Sequence, residues 1–168
     1  MPVTTTGSNV GATLQVGEML PDATGFDGNS YCNASVWFQW TSPVTGAVQI
    51  DTFGSGFDTI LAVWTGSDVT SISEVSSCDE FDGSQSAVFI DVVIGTTYRI
   101  AVYGYQADAG KIVLNISNDT TSRIAGTVTG PDGTTPLVDI AVMAYRLHST
   151  YPYWRLVNSA KTQADGSY

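Results

Sequence analysis

Few side chains in this 168-residue sequence could carry chemistry, and their types and spacing limit what that chemistry is. The single histidine, His148, lies in the polar-aromatic stretch His148-Ser149-Thr150-Tyr151-Pro152-Tyr153-Trp154. Acyl transfer needs a nucleophile, a base within hydrogen-bond reach and a group that orients the base. No nucleophile motif accompanies His148. Neither Cys32 nor Cys78 has a nearby histidine to activate it as a thiolate. One histidine and two distant cysteines fall short of a tetrahedral zinc site, and no glycine-rich phosphate loop leads from a strand into a helix. The sequence reads as non-catalytic.

The acids offer more. Cys78-Asp79-Glu80-Phe81-Asp82-Gly83 puts three carboxylates into four positions beside a glycine. Calcium takes about six to eight hard oxygen ligands, and clustered carboxylates repel one another unless a cation neutralises them. The spacing is not that of an EF-hand, so a calcium site and a solvated acidic loop both stay open. Asp58, in Gly56-Phe57-Asp58-Thr59, is a further candidate ligand. An Asp that enters a strand from a glycine turn more often bonds the local backbone N–H groups. Trp37, Tyr103 and Tyr105 are candidate ligand-facing aromatics, since exposed rings stack on sugars or anchor partners. Core packing is the commoner fate of such rings.

Composition places these residues in a secreted or cell-surface β protein. The chain is 43% hydrophobic and 13% charged, with Gly, Thr, Ser, Val and Asp abundant and the strong helix formers scarce. No apolar run approaches the roughly 20 residues of a membrane helix. Met1 leads directly into polar sequence, so any export signal is expected to be removed or to lie elsewhere. The net charge is −10, and residues 1–122 hold 13 acids against two bases, Arg99 and Lys111. Such a surface repels phosphate backbones and excludes nucleic acid as a partner. In an exported protein, Cys32 and Cys78 are expected to form a disulfide. It would close a loop of roughly 46 residues, with a stabilisation of about 4 kcal/mol. The alternative is a pair of buried thiols in a cytosolic protein.

The elements that must position these residues are short β-branched and aromatic runs between turns. They are 35–41 (SVWFQWT), 47–53 (AVQIDTF), 59–64 (TILAVW), 87–92 (AVFIDV), 98–103 (YRIAVY) and 111–117 (KIVLNIS). Val48, Ile50 and Thr52 alternate with Gln49 and Asp51, and Ile112, Leu114 and Ile116 with Lys111 and Asn115. Such alternation marks antiparallel sheets with one face buried. Val36, Phe38 and Trp40 oppose Trp37 and Gln39, so one of the two sets is a candidate for exposure. Residues 12–16 read as an edge strand and 69–75 as at most one helical turn. A polar linker at 119–122 precedes a second set of strands at 123–129, 139–146 and 154–162, with a Gly130-Pro131-Asp132-Gly133 turn. The sequence ends at Asp165-Gly166-Ser167-Tyr168, where a further strand is expected.

The stretches TGSNVGATLQVGE (6–18), SVWFQWTSPVTGAVQIDTFGSGFDTILAVWTG (35–66) and SAVFIDVVIGTTYRIAVYGYQADAGKIVLNIS (86–117) resemble the bacterial pre-peptidase C-terminal (PPC) domain family over about residues 6–118. The resemblance implies a jelly-roll-like antiparallel β-sandwich carried as a non-catalytic appendage by secreted hydrolases and surface proteins. It also implies association with calcium, polysaccharide or protein binding, and secretion or maturation. Asp58 matches the family's most recognisable acid. The acidic loop departs from the family pattern, with Asp79-Glu80 where Asp-Asp is usual and Cys78 where Asn is common. RIAGTVTGPDGTTPLVDIAVMAYR (123–146) with TQADGSY (162–168) is similar to the start of carboxypeptidase-regulatory-like or Cna-B-like domains, which are Ig-like or prealbumin-like spacers.

The expected organisation is therefore a PPC-like sandwich over 1–118, a linker at 119–122 and an incomplete second β domain over 123–168. The expected function is a calcium-stabilised accessory module that binds a polysaccharide or an extracellular protein, or supports secretion. The alternative is a stalk or filament subunit that assembles with neighbouring copies or domains by β-strand augmentation.

Overall fold

Alternation sets the architecture of the first unit, which spans Met1–Asp119. A computed structural model describes residues 2–21, 31–79, 81–119, 124–147 and 154–168. The strands of this unit are β1 (Val3–Ser8), β2 (Cys32–Thr41), β3 (Gly46–Asp51), β4 (Thr59–Thr65), β5 (Ser73–Asp79), β6 (Ala87–Val92), β7 (Thr97–Tyr105) and β8 (Lys111–Asn118). They form two four-stranded antiparallel sheets in the orders β1-β8-β3-β6 and β2-β7-β4-β5. Val48 and Ile50 of β3, Val88 and Ile90 of β6, and Ile112, Leu114 and Ile116 of β8 point into one core. They meet Leu61 and Val63 of β4 and Ile100 and Val102 of β7 there. The unit is a β-sandwich.

The two sheets differ on their outer faces. The β3–β8 face is polar, with Gln49 and Asn115 bonded to the buried carboxylate of Asp51 at 2.8 and 2.7 Å. The β4–β7 face is apolar. Ile60, Ala62, Trp64, Ala101 and Tyr103 form a second cluster with Cys32 and Ile72. Strands buried on both faces read as continuous apolar runs, as 59–64 does.

A buried hydroxyl network closes one end of the sandwich. Thr52, Thr59 and Ser86 are all fully buried. The Thr52 and Thr59 hydroxyls lie 2.6 Å apart, the Ser86 N–H donates to Thr52 Oγ1 at 2.9 Å, and the Ser86 hydroxyl donates to the Thr59 carbonyl. This accounts for both threonines of the DTFGSGFDT segment. Thr52→Val keeps the shape but orphans the Ser86 N–H, while the Thr59 hydroxyl still donates to the Ser84 carbonyl at 3.3 Å. One orphaned buried group costs roughly 1–3 kcal/mol, and a loss in that range is expected in urea denaturation.

Three strand expectations are corrected. Residues 12–16 form no strand; the edge strand is β1, whose VTTTGS sequence is largely exposed and shows no apolar alternation. Of residues 69–75, expected as at most one helical turn, 69–70 form a turn and 73–75 instead begin β5. In the second unit, Thr120–Tyr168, the expected strand at 123–129 is represented among the described residues by isolated bridges, Thr127 to Ser167 and Thr129 to Pro136. The regular strands there are β9 (Ala141–Leu147) and β10 (Trp154–Lys161), paired antiparallel. The Gly130–Gly133 turn forms, with the Gly133 N–H on the Gly130 carbonyl at 2.9 Å and Gly133 at φ 71°.

The expected Cys32–Cys78 disulfide is also corrected: both side chains are buried thiols. Cys32 begins β2 and joins the outer cluster, whereas Cys78 on β5 belongs to the inter-sheet core. β2 and β5 are the two edges of one sheet, so three strand spacings, about 14 Å, separate them. A disulfide needs Cα atoms within about 7 Å. Reductant is expected to shift the melting temperature by less than about 1 °C, where loss of a bridge worth about 4 kcal/mol would shift it by far more. A thiol titration of the denatured, unreduced chain should find two reactive thiols.

Candidate functional site

The outer face of the β2-β7-β4-β5 sheet carries the most suggestive geometry. On β2, Val36, Phe38 and Trp40 pack against the inter-sheet core, which leaves Trp37 and Gln39 on the outer face. Trp37 leans on the second cluster, 6.4 Å from both Trp64 and Tyr103. Residues 9–20 run past this face, and Glu18 ties them down. Its Oε1 accepts from Trp37 Nε1 at 3.0 Å, and its Oε2 accepts from the Ser35 hydroxyl at 3.0 Å and the Gln15 N–H at 2.9 Å. The Met19 N–H donates to the Val69 carbonyl at 3.1 Å, which joins the same segment to the β4–β5 loop. The position and edge of the Trp37 ring are thereby fixed.

Beside Trp37 lies a cavity of about 140 Å³ lined by Trp37, Phe38, Gln39, Ser67, Val69, Ile72 and Arg99. Gln39 and Arg99 are register partners on β2 and β7. Arg99 Nη1 donates to Gln39 Oε1 and its Nε to the Gly66 carbonyl at 3.5 Å. Gly66 itself must be glycine. Its φ is 112°, and a Cβ there would stand 3.2 Å from the Ile72 Cα. The cavity thus joins an indole, an apolar floor at Ile72 and Val69, and a guanidinium and an amide held together. Polar groups set in an apolar lining are the general make-up of small-molecule sites.

The expected ligand-facing aromatics separate. Trp37 lines the cavity. Tyr103, a candidate for exposure, is fully buried: the alternation that puts it on the outer face also puts it inside the second cluster, where its hydroxyl reaches the Met19 carbonyl at 3.5 Å. Burial first, and the Glu18 charge second, raise its pKa well above the ordinary tyrosine value. Tyr105 is half-buried and packs on Tyr31 with ring centroids 5.2 Å apart. It is register partner to Cys32, at the far end of β2 from Gln39.

Of the expected calcium ligands, Asp79 is register partner to Ile60, two residues beyond Asp58. Asp79 ends β5, Asp82 is exposed in a hairpin closed by its own bridge to Gln85, and Glu80 lies outside the described residues. Asp58 is engaged locally, its carbonyl accepting from the Tyr105 N–H at 2.9 Å and its N–H 3.4 Å from Asp108 Oδ2. Among the described residues, no three His, Cys, Asp or Glu side chains are placed to hold a metal ion together. His148 lies outside the described residues.

Gln39, Arg99 and Glu18 were not among the expected site residues. Arg99 carried a usable signal as one of two bases in 122 residues. Glu18 carried none, because its partners are 17 and 19 residues away. No protein-family model matches this chain, and no curated protein matches it.

Proposed function

We propose that this chain is a non-catalytic accessory module of a secreted or cell-surface protein, and that it binds a carbohydrate in the Trp37 cavity. The observation that carries this reading is the cavity itself, where a fixed indole stands beside a paired amide and guanidinium. An indole stacks on the C–H face of a sugar ring, and planar amide and guanidinium groups offer the donors that ring hydroxyls accept. The PPC-like sequence of residues 6–118 supports an appended binding module, and the acidic, lysine-poor composition supports an extracellular setting. None of the cavity's lining side chains is an activated nucleophile or a base.

Affinity electrophoresis through gels containing soluble polysaccharides tests this. At least one polysaccharide is expected to retard the protein, and Trp37→Ala is expected to abolish the retardation while the melting temperature falls by only a few degrees. Equal retardation of wild type and Trp37→Ala would reject the cavity as the site.

A second reading, a stalk or filament subunit, rests on the second unit. Its regular structure among the described residues is a two-stranded sheet, which is marginal alone, and Ile140 and Met143 beside or within it are exposed. A strand from a neighbour or from the same polypeptide would cover them. Concentration-dependent assembly in light scattering supports this reading, and a monomer at all concentrations rejects it.

A further inference from the structure

The charge inside the cavity narrows the ligand further, on the premise that the cavity binds a carbohydrate. Residues 1–122 hold 13 acids and two bases. In so acidic a domain an arginine is expected to be covered by a carboxylate. Lys111 stands on β8 of the other sheet. Arg99 is paired instead with two neutral acceptors, the Gln39 amide oxygen and the Gly66 carbonyl, and among the described residues no carboxylate pairs with it. These bonds use two of the five guanidinium donors and hold the plane of the fork still. Gln39 has given its oxygen to Arg99, so its NH₂ group remains available as a donor. The cavity therefore presents donors and a positive charge beside an aromatic surface.

We infer that the cavity takes an acidic sugar, a pyranose bearing a ring carboxylate such as a uronic acid residue of an extracellular polysaccharide. Its carboxylate pairs with the remaining Arg99 donors, its hydroxyls accept from Gln39 and exchange bonds with Ser67, and its C–H face rests on Trp37. A cavity of about 140 Å³ is below the roughly 300–1,000 Å³ of a drug-sized ligand site and matches one ring. The acidic surface repels a polyanion at long range, but salt screens that repulsion beyond about 8 Å, whereas a charge-assisted fork acts at contact. Glu18, the acid bonded to Trp37, has both oxygens engaged by Trp37, Ser35 and Gln15.

The test is calorimetric titration of the full chain with uronic acid oligosaccharides, their methyl esters and neutral oligosaccharides of the same linkage and length. The acid form is expected to bind at least tenfold more tightly than the ester or the neutral oligomer. Arg99→Gln should bring its affinity down to theirs, and Arg99→Lys should recover only part of the difference, because a point charge replaces a fork. The ester comparison needs no substitution, so it decides the matter even if Arg99→Gln folds poorly. Equal affinity for acid, ester and neutral forms overturns the acidic-sugar inference and leaves the carbohydrate reading standing. Binding of none of the sugars overturns both. Binding of an acidic peptide such as oligoglutamate, with the sugars silent and the effect lost in Arg99→Gln, also overturns both, and points to a protein partner.

Discussion

Gly104→Ala is expected to destabilise the first unit severely. Gly104 lies within β7 between Thr59 of β4 and Asn33 of β2, where a glycine is normally a weakness. It is required because the chain turns back over it: a Cβ at this position would overlap the Asp108 carbonyl oxygen and come within 3.1 Å of Asn9 Nδ2. Neither neighbour can withdraw cheaply. The Asp108 N–H is held on the Tyr105 carbonyl at 2.9 Å, the Asp108 carbonyl accepts from Asn9 Nδ2 at 3.2 Å, and Asn9 is fully buried. Overpacking against a side chain costs about 1–3 kcal/mol; against fixed backbone the loss should exceed 3 kcal/mol, a large share of a domain's total stability. Gly83→Ala is the control. Gly83 has φ 62° but open space around its Cβ, so only about 1 kcal/mol is expected from the backbone. Urea denaturation separates the two, and similar midpoints would mean that the 105–108 turn does not pack on Gly104.

Trp64→Ala should be nearly as damaging, for a different reason. Trp64 is among the largest fully buried side chains and anchors the outer cluster on which Trp37 rests. Truncating a buried tryptophan costs about 3–5 kcal/mol, and Trp37 would lose its support, so ligand binding should weaken with stability. Trp64→Phe sharpens the prediction. The buried Trp64 Nε1 finds no hydrogen-bond partner among the described residues, so phenylalanine removes an unsatisfied donor and leaves only a modest cavity. A loss below about 1.5 kcal/mol is expected, within the range of volume-tolerant core changes. If Trp64→Phe proved as costly as Trp64→Ala, the indole N–H would have to make a bond that matters.

The legible parts of this fold are those where one face is wet. Val48 and Ile50 against Gln49, and Ile112, Leu114 and Ile116 against Asn115, mark β3 and β8 and their buried sides directly. The run Val36, Phe38 and Trp40 against Trp37 and Gln39 marks the two faces of β2, so the residue that lines the cavity was already among the aromatics singled out. What was not legible depends on covering layers. Tyr103 alternates with Val102 as an outward residue should, and only the passage of residues 9–20 across that face makes it a core residue. β1 and β5 carry threonine and serine at an edge, where backbone pairing needs no apolar pattern. The cysteines misled for a related reason: their separation in sequence says nothing about which sheet face each occupies, and they lie on opposite faces and opposite edges. Arg99 and Gln39 meet because β2 and β7 pair in one register, a relation between segments 60 residues apart.

The claim at the centre of this account is that the Trp37 cavity is where the module meets its ligand. The most direct measurement is an amide and indole NMR footprint of the labelled chain during titration with the oligosaccharide that binds best. Shifts are expected to concentrate on the Trp37 indole, the Gln39 side-chain amide and residues 66–72, with β1 and β8 unchanged. Shifts centred on the polar face around Asp51 and Asn115, or no shifts at ligand concentrations that retard the protein in gels, would contradict it.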